Sequence, residues 1–364
     1  MFEAHSDLFT ALEQLLTSLP SPHGNPCGTC NACCRADLSH HRVSSLELEW
    51  IAQRESRPVS ERFRAYLERQ RNAQGELRFP ICPNYQDGCQ IYSVRPFSCR
   101  TFGRFREQGT KLPDGCVFVG SEVIYAARDY FQALPQSRPL RALTREFELF
   151  LRSPQSHYES TQGPGTTAEA AEFFQHGDEL DRALALQAQG RLEEALEQVL
   201  SAPEGNYREY SLALLYSIQD NHLEAAQHFS ALARRIPSRA EFHYYAGYHM
   251  LFMGRVAEAV AALHQAVQAE PDHSMSWGLL GYLDFQKGRW MEAAEYFRQA
   301  RQADPSNPFF ALRWACCQVE MEQNAPGLSE AFKQAARSPA TAGAATQYRS
   351  RAIRCCPDLA PESC

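Results

Sequence analysis

The feature that most limits the fold is an interval of 34 residues recurring through the second half of the chain. Gly254 and Gly288 are 34 apart, and Asp220 falls 34 before Gly254. Ala225, Ala259 and Ala293 keep the same spacing, as do Phe229, Leu263 and Phe297, and again Pro237, Pro271 and Pro305. A small residue, a large apolar residue and a proline held to one period describe a unit that stacks on copies of itself, because a single unit is too short to bury its own apolar face.

Residues 274–307, SMSWGLLGYLDFQKGRWMEAAEYFRQARQADPSN, carry the pattern most fully. Trp277, Leu280, Gly281, Ala293, Phe297, Ala300 and Pro305 make this stretch resemble the tetratricopeptide repeat, which implies two antiparallel helices per unit. Packing accounts for the residue choice: Gly281 and Ala293 permit close approach of the paired helices, and Trp277 and Phe297 fill the space between them. Further units fall at 206–239 and 240–273. A shorter one with Gly190, Ala195 and Ala202 ends at Pro203, and a degenerate one begins at Pro308 and keeps Trp314 and Ala315. Irregular end units are expected where a stack must be capped. Cys316 and Cys317 lie on that last unit's helix, where core packing is the expected role.

In the repeat family the first helix of each unit lines a concave face. Carried onto this chain, that face holds Tyr207, Tyr210, Leu214 and Ile218, then Tyr244, Tyr248, Phe252 and Met253, then Met275, Tyr282 and Phe285. Such an aromatic surface suits a protein or peptide partner. The alternative is that these side chains pack on the linker or on the N-terminal half of the chain itself.

That half poses a different problem. It contains CGTCNACC, in which Cys27, Cys30, Cys33 and Cys34 crowd into eight residues, followed by Cys82, Cys89, Cys99 and Cys116. A stretch rich in Ser, Thr, Gly, Pro and Gln at 153–167 divides the chain, and no cysteine follows it until Cys316. The expected organisation is a cysteine domain at 1–152 with its core about 20–135 and a linker at 153–170. Repeats then fill 171–340, with a C-terminal helix and tail at 341–364.

The total of thirteen cysteines is odd. The N-terminus, with Glu3, Asp7 and Glu13, lacks the basic start of a secretory leader, and its Phe9, Leu12, Leu15, Leu16 and Leu19 recur at helical spacing. No run approaches the roughly 18 apolar residues of a membrane span. A cytoplasmic location with no membrane partner is therefore expected, and in a reducing compartment metal ligation is favoured over disulfides. With 36 Lys and Arg against 43 Asp and Glu, and a net charge of −7, nucleic acid is not an expected partner. Thiol–disulfide exchange would call for one reactive pair at a helix start in a βαβ setting, and none is evident. His23, His40 and His41 flank the cluster and read as exposed loop residues, with ligation or base catalysis as the alternative.

The CxxCxxCC cluster followed by a C…C-x-I-Y-x-x-R-P-x-x-C block resembles the YkgJ-type cysteine-cluster family of zinc- or iron-chelating domains. The matching residues are Cys27, Cys30, Cys33, Cys34, Cys82, Cys89, Ile91, Tyr92, Arg95, Pro96, Cys99 and Arg100. The resemblance implies that Cys116 leads into a final helix through VFVGSEVIYAARDYFQAL. It also implies that Arg95 and Arg100 offset thiolate charge and donate hydrogen bonds to sulfur, surface ion pairing being their other reading. All-thiolate ligation suits zinc, iron or an iron–sulfur cluster. Eight thiols could hold two ions, a cluster with an ion, or a cluster with spare thiols. Flagellin-lysine methylases carry a similar cluster, so an iron–sulfur-dependent protein-modifying enzyme is one alternative function and a metal-delivery factor another. No catalytic residue stands out.

Between Cys34 and Cys82 the pattern is helical. Ser44 to Glu47 has capping-box spacing before Leu46, Leu48, Trp50 and Ile51, and Ser60 is placed to cap a second helix bearing Phe63, Tyr66 and Leu67. Asp87-Gly88 reads as a turn before Cys89. The expected fold is mainly α: a small, α-rich cysteine-cluster domain organised by its metal, followed by an α-solenoid of tetratricopeptide-like helix pairs.

Overall fold

The structure, a computed structural model, describes residues 6–18, 32, 46–47, 50–51, 94–101, 105–107, 114–116, 123–125, 137–150 and 177–352. The chain is mainly α. Its described helices fall into two compact units divided between Gln219 and Asp220. The second helix expected at Ser60, the Asp87-Gly88 turn and the linker lie outside the described residues.

The first unit begins with α1 (Ser6–Ser18), which buries Phe9, Leu12 and Leu15 as its periodicity requires. Leu46, Trp50 and Ile51 are likewise buried, and Leu46, Glu47, Trp50 and Ile51 are helical. A five-residue helix α2 (Phe97–Thr101), a parallel pair of short strands β1 (Phe105–Glu107) and β2 (Val123–Tyr125), and α3 (Ser137–Glu148) complete the N-terminal elements. An aromatic core joins the helices among them: Phe9 lies 4.2 Å from Trp50 and 5.4 Å from Phe147, and Phe97 lies 5.0 Å from Phe147. The strand β2 corrects the expectation of a helix running directly from Cys116. Val123, Ile124 and Tyr125 are β-branched or aromatic and take the extended form, pairing with Phe105 to Glu107. The described helix comes only at Ser137.

The same unit includes α4 (Glu179–Ala188), α5 (Leu192–Ser201) and α6 (Asn206–Ile218), the short repeat and the first helix of the next. They share a core of Leu180, Ala183, Ala195, Val199, Ala202, Leu212 and Leu215. Charged residues tie α3 to them. Arg145, 2% exposed, donates from Nη1 to Asp181 at 2.8 Å and to Asp178 at 3.0 Å, and its Nη2 also pairs with Asp178. Gly177 is required here, since a Cβ would lie 2.2 Å from that of Asp181. The Glu146 carboxylate accepts the Tyr207 N–H at 2.8 Å, supplying the cap that Gly205 lacks at the start of α6.

The second unit stacks α7 (His222–Arg235), α8 (Ala240–Phe252), α9 (Val256–Ala269), α10 (Ser274–Gln286), α11 (Trp290–Ala303), α12 (Pro308–Glu320), α13 (Leu328–Ala336) and α14 (Pro339–Ala352). The periodic residues form its interior: Ala225, Ala259, Ala293, Phe229, Leu263 and Phe297 are all fully buried. At Gly281 a Cβ would stand 3.1 Å from the Phe297 ring, so the glycine is what admits that ring. Burying such a ring contributes about 2–3 kcal/mol. The period extends to the backbone. Asp220, Gly254, Gly288 and Glu322, each 34 residues after the last, all have positive φ, at 55°, 72°, 71° and 55°. The period also shows in polar latches: His243 Nε2 bonds Pro237 O at 3.1 Å, and Trp277 Nε1 donates to Pro271 O at 2.8 Å.

Candidate metal centre and partner face

Two of the eight nominated thiols, Cys99 and Cys116, lie among the described residues; Cys27, Cys30, Cys33, Cys34, Cys82 and Cys89 lie outside them. So do His23, His40, His41, Ile91 and Tyr92.

Cys99 is half-buried on α2, which is anchored at several points. The Phe97 N–H donates to the buried Glu47 carboxylate, so the residue read as half of a capping box holds the start of a different helix. Phe97 packs among Leu15, Leu140 and Leu143, and Thr101 Oγ1 donates to Phe97 O at 3.0 Å. Arg100 is buried; its Nε donates to Arg95 O at 2.8 Å, its Nη1 pairs with Glu13, and its guanidinium lies 4.6 Å over the Trp50 ring. Burial brings its pKa down to about 10, which leaves it cationic at neutral pH. Cys116 is buried directly after the Asp114-Gly115 turn, where Gly115 has φ +78°. Thiols at these two positions are the donor type that a thiophilic ion takes. Among the described residues no three potential ligands converge on one point.

Cys316 and Cys317 are fully buried thiols in the core formed by α11, α12, α13 and α14. Burial pushes each up to about 12, so they stay protonated and act as small apolar residues. Cys355, Cys356 and Cys364 lie outside the described residues.

The partner-face residues divide by unit. In the first, Tyr207 is taken up by its own unit, its ring under Arg145 at 5.2 Å and packed on the α4–α6 core. Tyr210, 6.0 Å from Tyr207, and Leu214 are half-buried, and Ile218 is exposed. In the second, Tyr244, Tyr248 and Phe252 run along α8 with ring spacings of 6.2 and 5.0 Å. Phe252 is 59% exposed and Met275 48%, while Met253, Tyr282 and Phe285 are half-buried.

Two features were not anticipated. His222 and His249 meet Nδ1 to Nδ1 at 3.0 Å. The buried His249 Nε2 has no partner, so the cheaper arrangement leaves it unprotonated while Nδ1 donates to His222. Arg313 lies over Tyr282, Phe285 and Phe309 at 5.6, 5.3 and 5.0 Å. The signal for it was in the period: Arg313 stands 34 residues after Leu279, a charge at a register where Leu279, Tyr245 and Ser211 carry none.

Residues 26–117 match a family described as a "putative zinc- or iron-chelating domain", CxxCxxCC, and residues 247–308 match the tetratricopeptide repeat. The chain is a fusion of a CxxCxxCC domain with tetratricopeptide repeats. It is 28% identical over 134 residues to human "Tetratricopeptide repeat protein 6", a match that spans 36% of this chain and about a quarter (26%) of that protein. Among solved structures, MamA matches at 13% identity and TM-score 0.36, covering 49% of this chain and 96% of that one. "YrrB: a TPR protein with an unusual peptide-binding site" matches at 18% identity and TM-score 0.36, covering 50% of this chain and 86% of that one. No described helix of the fusion is long and apolar enough to cross a membrane.

Proposed function

We propose that this fusion holds zinc, iron or an iron–sulfur cluster through Cys27, Cys30, Cys33, Cys34, Cys82, Cys89, Cys99 and Cys116, while its repeats dock a protein or peptide on their first-helix face. The observation that carries the metal reading is the agreement between residues 26–117 and a metal-chelating family, with all eight thiols inside the match. The donor chemistry fits: where the structure describes them, the thiols stand on a five-residue helix and directly after a tight turn, and thiolate is the donor type that zinc and iron take. The bound metal would supply folding energy to the cysteine half, on the order of 10 kcal/mol in small zinc sites. The aromatic run from Tyr244 to Phe252 supports the docking reading. The domain limits 1–152, 153–170, 171–340 and 341–364 and a cytoplasmic location belong to the same proposal.

Anaerobic purification followed by metal and acid-labile sulfide analysis tests it. Bound metal that falls in Cys33→Ser and Cys34→Ser but not in Cys316→Ser is the expected result. Unchanged metal in both cluster variants would overturn the ligand assignment, and sulfide in the wild type would exclude a purely zinc site.

A further inference from the structure

Histidines aside, four residues on α8, α10 and α12 are acidic or basic: Glu241, Asp284, Arg313 and Glu320. Three are answered within the chain. Glu241 pairs with Arg239, Asp284 with Arg289, and Glu320 with Arg351. Arg313 makes no hydrogen bond or ion pair among the described residues, and its Nε is buried without an acceptor. The residue is half-buried, so it is Nε that is withdrawn from water without an acceptor, which is unfavourable, and cation–π contact with three rings supplies none.

We propose that Arg313 receives an Asp or Glu side chain from a peptide segment of another protein lying across the first-helix face of the repeats. This rests on the docking reading above and names what the partner must carry. Rings close to the guanidinium leave its in-plane N–H groups as the remaining donors, and a planar carboxylate matches that fork. One unanswered cation calls for one carboxylate. A side chain fits better than a chain end, because apolar surface stands on two sides of the charge. Phe309, 39% exposed, lies one turn before Arg313 on α12, and Tyr282 and Phe285 lie on neighbouring α10. Residues flanking the acid in the partner are therefore apolar or aromatic.

The test uses the full chain and a random peptide library displayed without free C-termini, so that only side chains offer carboxylates. Selection on the wild type is expected to fix an acidic position beside an aromatic or aliphatic one. Replacing that acid by its amide in the synthetic peptide lowers wild-type affinity about tenfold or more. The same replacement changes little against Arg313→Gln, and Arg313→Lys recovers part of the preference. Selected peptides with no acidic position, or an amide effect equal in wild type and Arg313→Gln, would overturn the inference. If such non-acidic peptides are also lost in Tyr248→Ala, the docking reading stands without this one. If no peptide is selected, or binding ignores Tyr248→Ala, the docking reading falls and takes the inference with it. The amide comparison on the wild type needs no folded variant.

Discussion

The two units bury polar groups by opposite means. The first keeps its charges and pairs them: Arg145, 2% exposed, faces Asp178 and Asp181, and Arg141 reaches Asp181 at 3.4 Å. Burial works to raise Asp178, yet its hydrogen bond to Arg145 holds it below the usual carboxylate range, while for the deeper Asp181 burial prevails and raises it. The second unit also pairs charges, as at Asp284 with Arg289, but at its most buried titratable groups it suppresses charge instead. Glu270 is raised by burial to about 7, and His249 and His273 are lowered by burial to about 4. Paired charges make a joint that fails when one partner is lost. Neutralised groups make a stack whose stability follows pH.

The largest expected effect tests the joint. Arg145→Met strands two carboxylates and should cost the first unit about 3–5 kcal/mol, the usual penalty for breaking a buried pair from one side. Hydrogen exchange should show α4 to α6 losing protection while α9 to α11 keep theirs. Adding Asp181→Asn should recover part of the loss. Unchanged protection in α4 to α6 would mean that apolar packing alone holds α3 to them, and the contrast between units would collapse.

The stack is tested by pH. Glu270 accepts the Ala240 N–H at 3.0 Å, and its folded pKa of about 7 lies above its ordinary 4.5. The folded state therefore holds a proton that the unfolded state releases between those values, and this contribution falls as pH rises from 4.5 to 7. His249 and His273 act oppositely, since the unfolded state takes protons that the folded state refuses between about 4 and 6.5, so stability there rises with pH. Two histidines outweigh one glutamate, which places the optimum of the second unit near 6.5, followed by a short decline. Glu270→Gln keeps an acceptor for Ala240 and removes that decline. It should gain on the order of 2 kcal/mol at pH 8 and nothing near pH 4.5, read from urea midpoints at each pH. A loss at pH 8 would show the carboxylate to be worth more charged than neutral.

Legibility followed the same division. Ala225, Phe229 and their equivalents announce the stack because each repeat buries one position the same way, and period converts directly into packing. The α1 face was readable for a similar reason, Phe9, Leu12 and Leu15 recurring within a single helix. The Arg145 joint was not, since Arg145 and Asp178 are 33 residues apart with no pattern linking them. Glu47 makes a contact that local spacing does not announce: its carboxylate accepts from the Phe97 N–H, fifty residues on. The strand at Val123–Tyr125 was hidden inside an expectation of helix that its own β-branched residues argue against. Of the metal centre, only the composition of the donor set could be read, because thiol spacing constrains ligand type more tightly than nuclearity.

The smallest effect sharpens the comparison within the stack itself. Glu322 adopts φ 55° at the position where Gly254 and Gly288 adopt 72° and 71°. Its N–H still donates to Val319 O at 3.0 Å, just as the Gly254 N–H donates to Leu251 O at 2.9 Å, so the turn is the same and only the side chain differs. An L residue with a Cβ pays about 1 kcal/mol for the left-handed region, and glycine pays less there although it loses more entropy on folding. Glu322 is exposed, so no packing is lost on its removal. Glu322→Gly should therefore raise stability by a few tenths to about 1 kcal/mol, and Gly254→Ala should lower it by a similar amount. Both are within reach of a thermal or urea midpoint comparison. Equal and opposite shifts would mean that the last repeat departs from its neighbours in sequence while sharing their turn. A loss in Glu322→Gly would instead show that the glutamate side chain holds the end of the stack in a way its neighbours do not need.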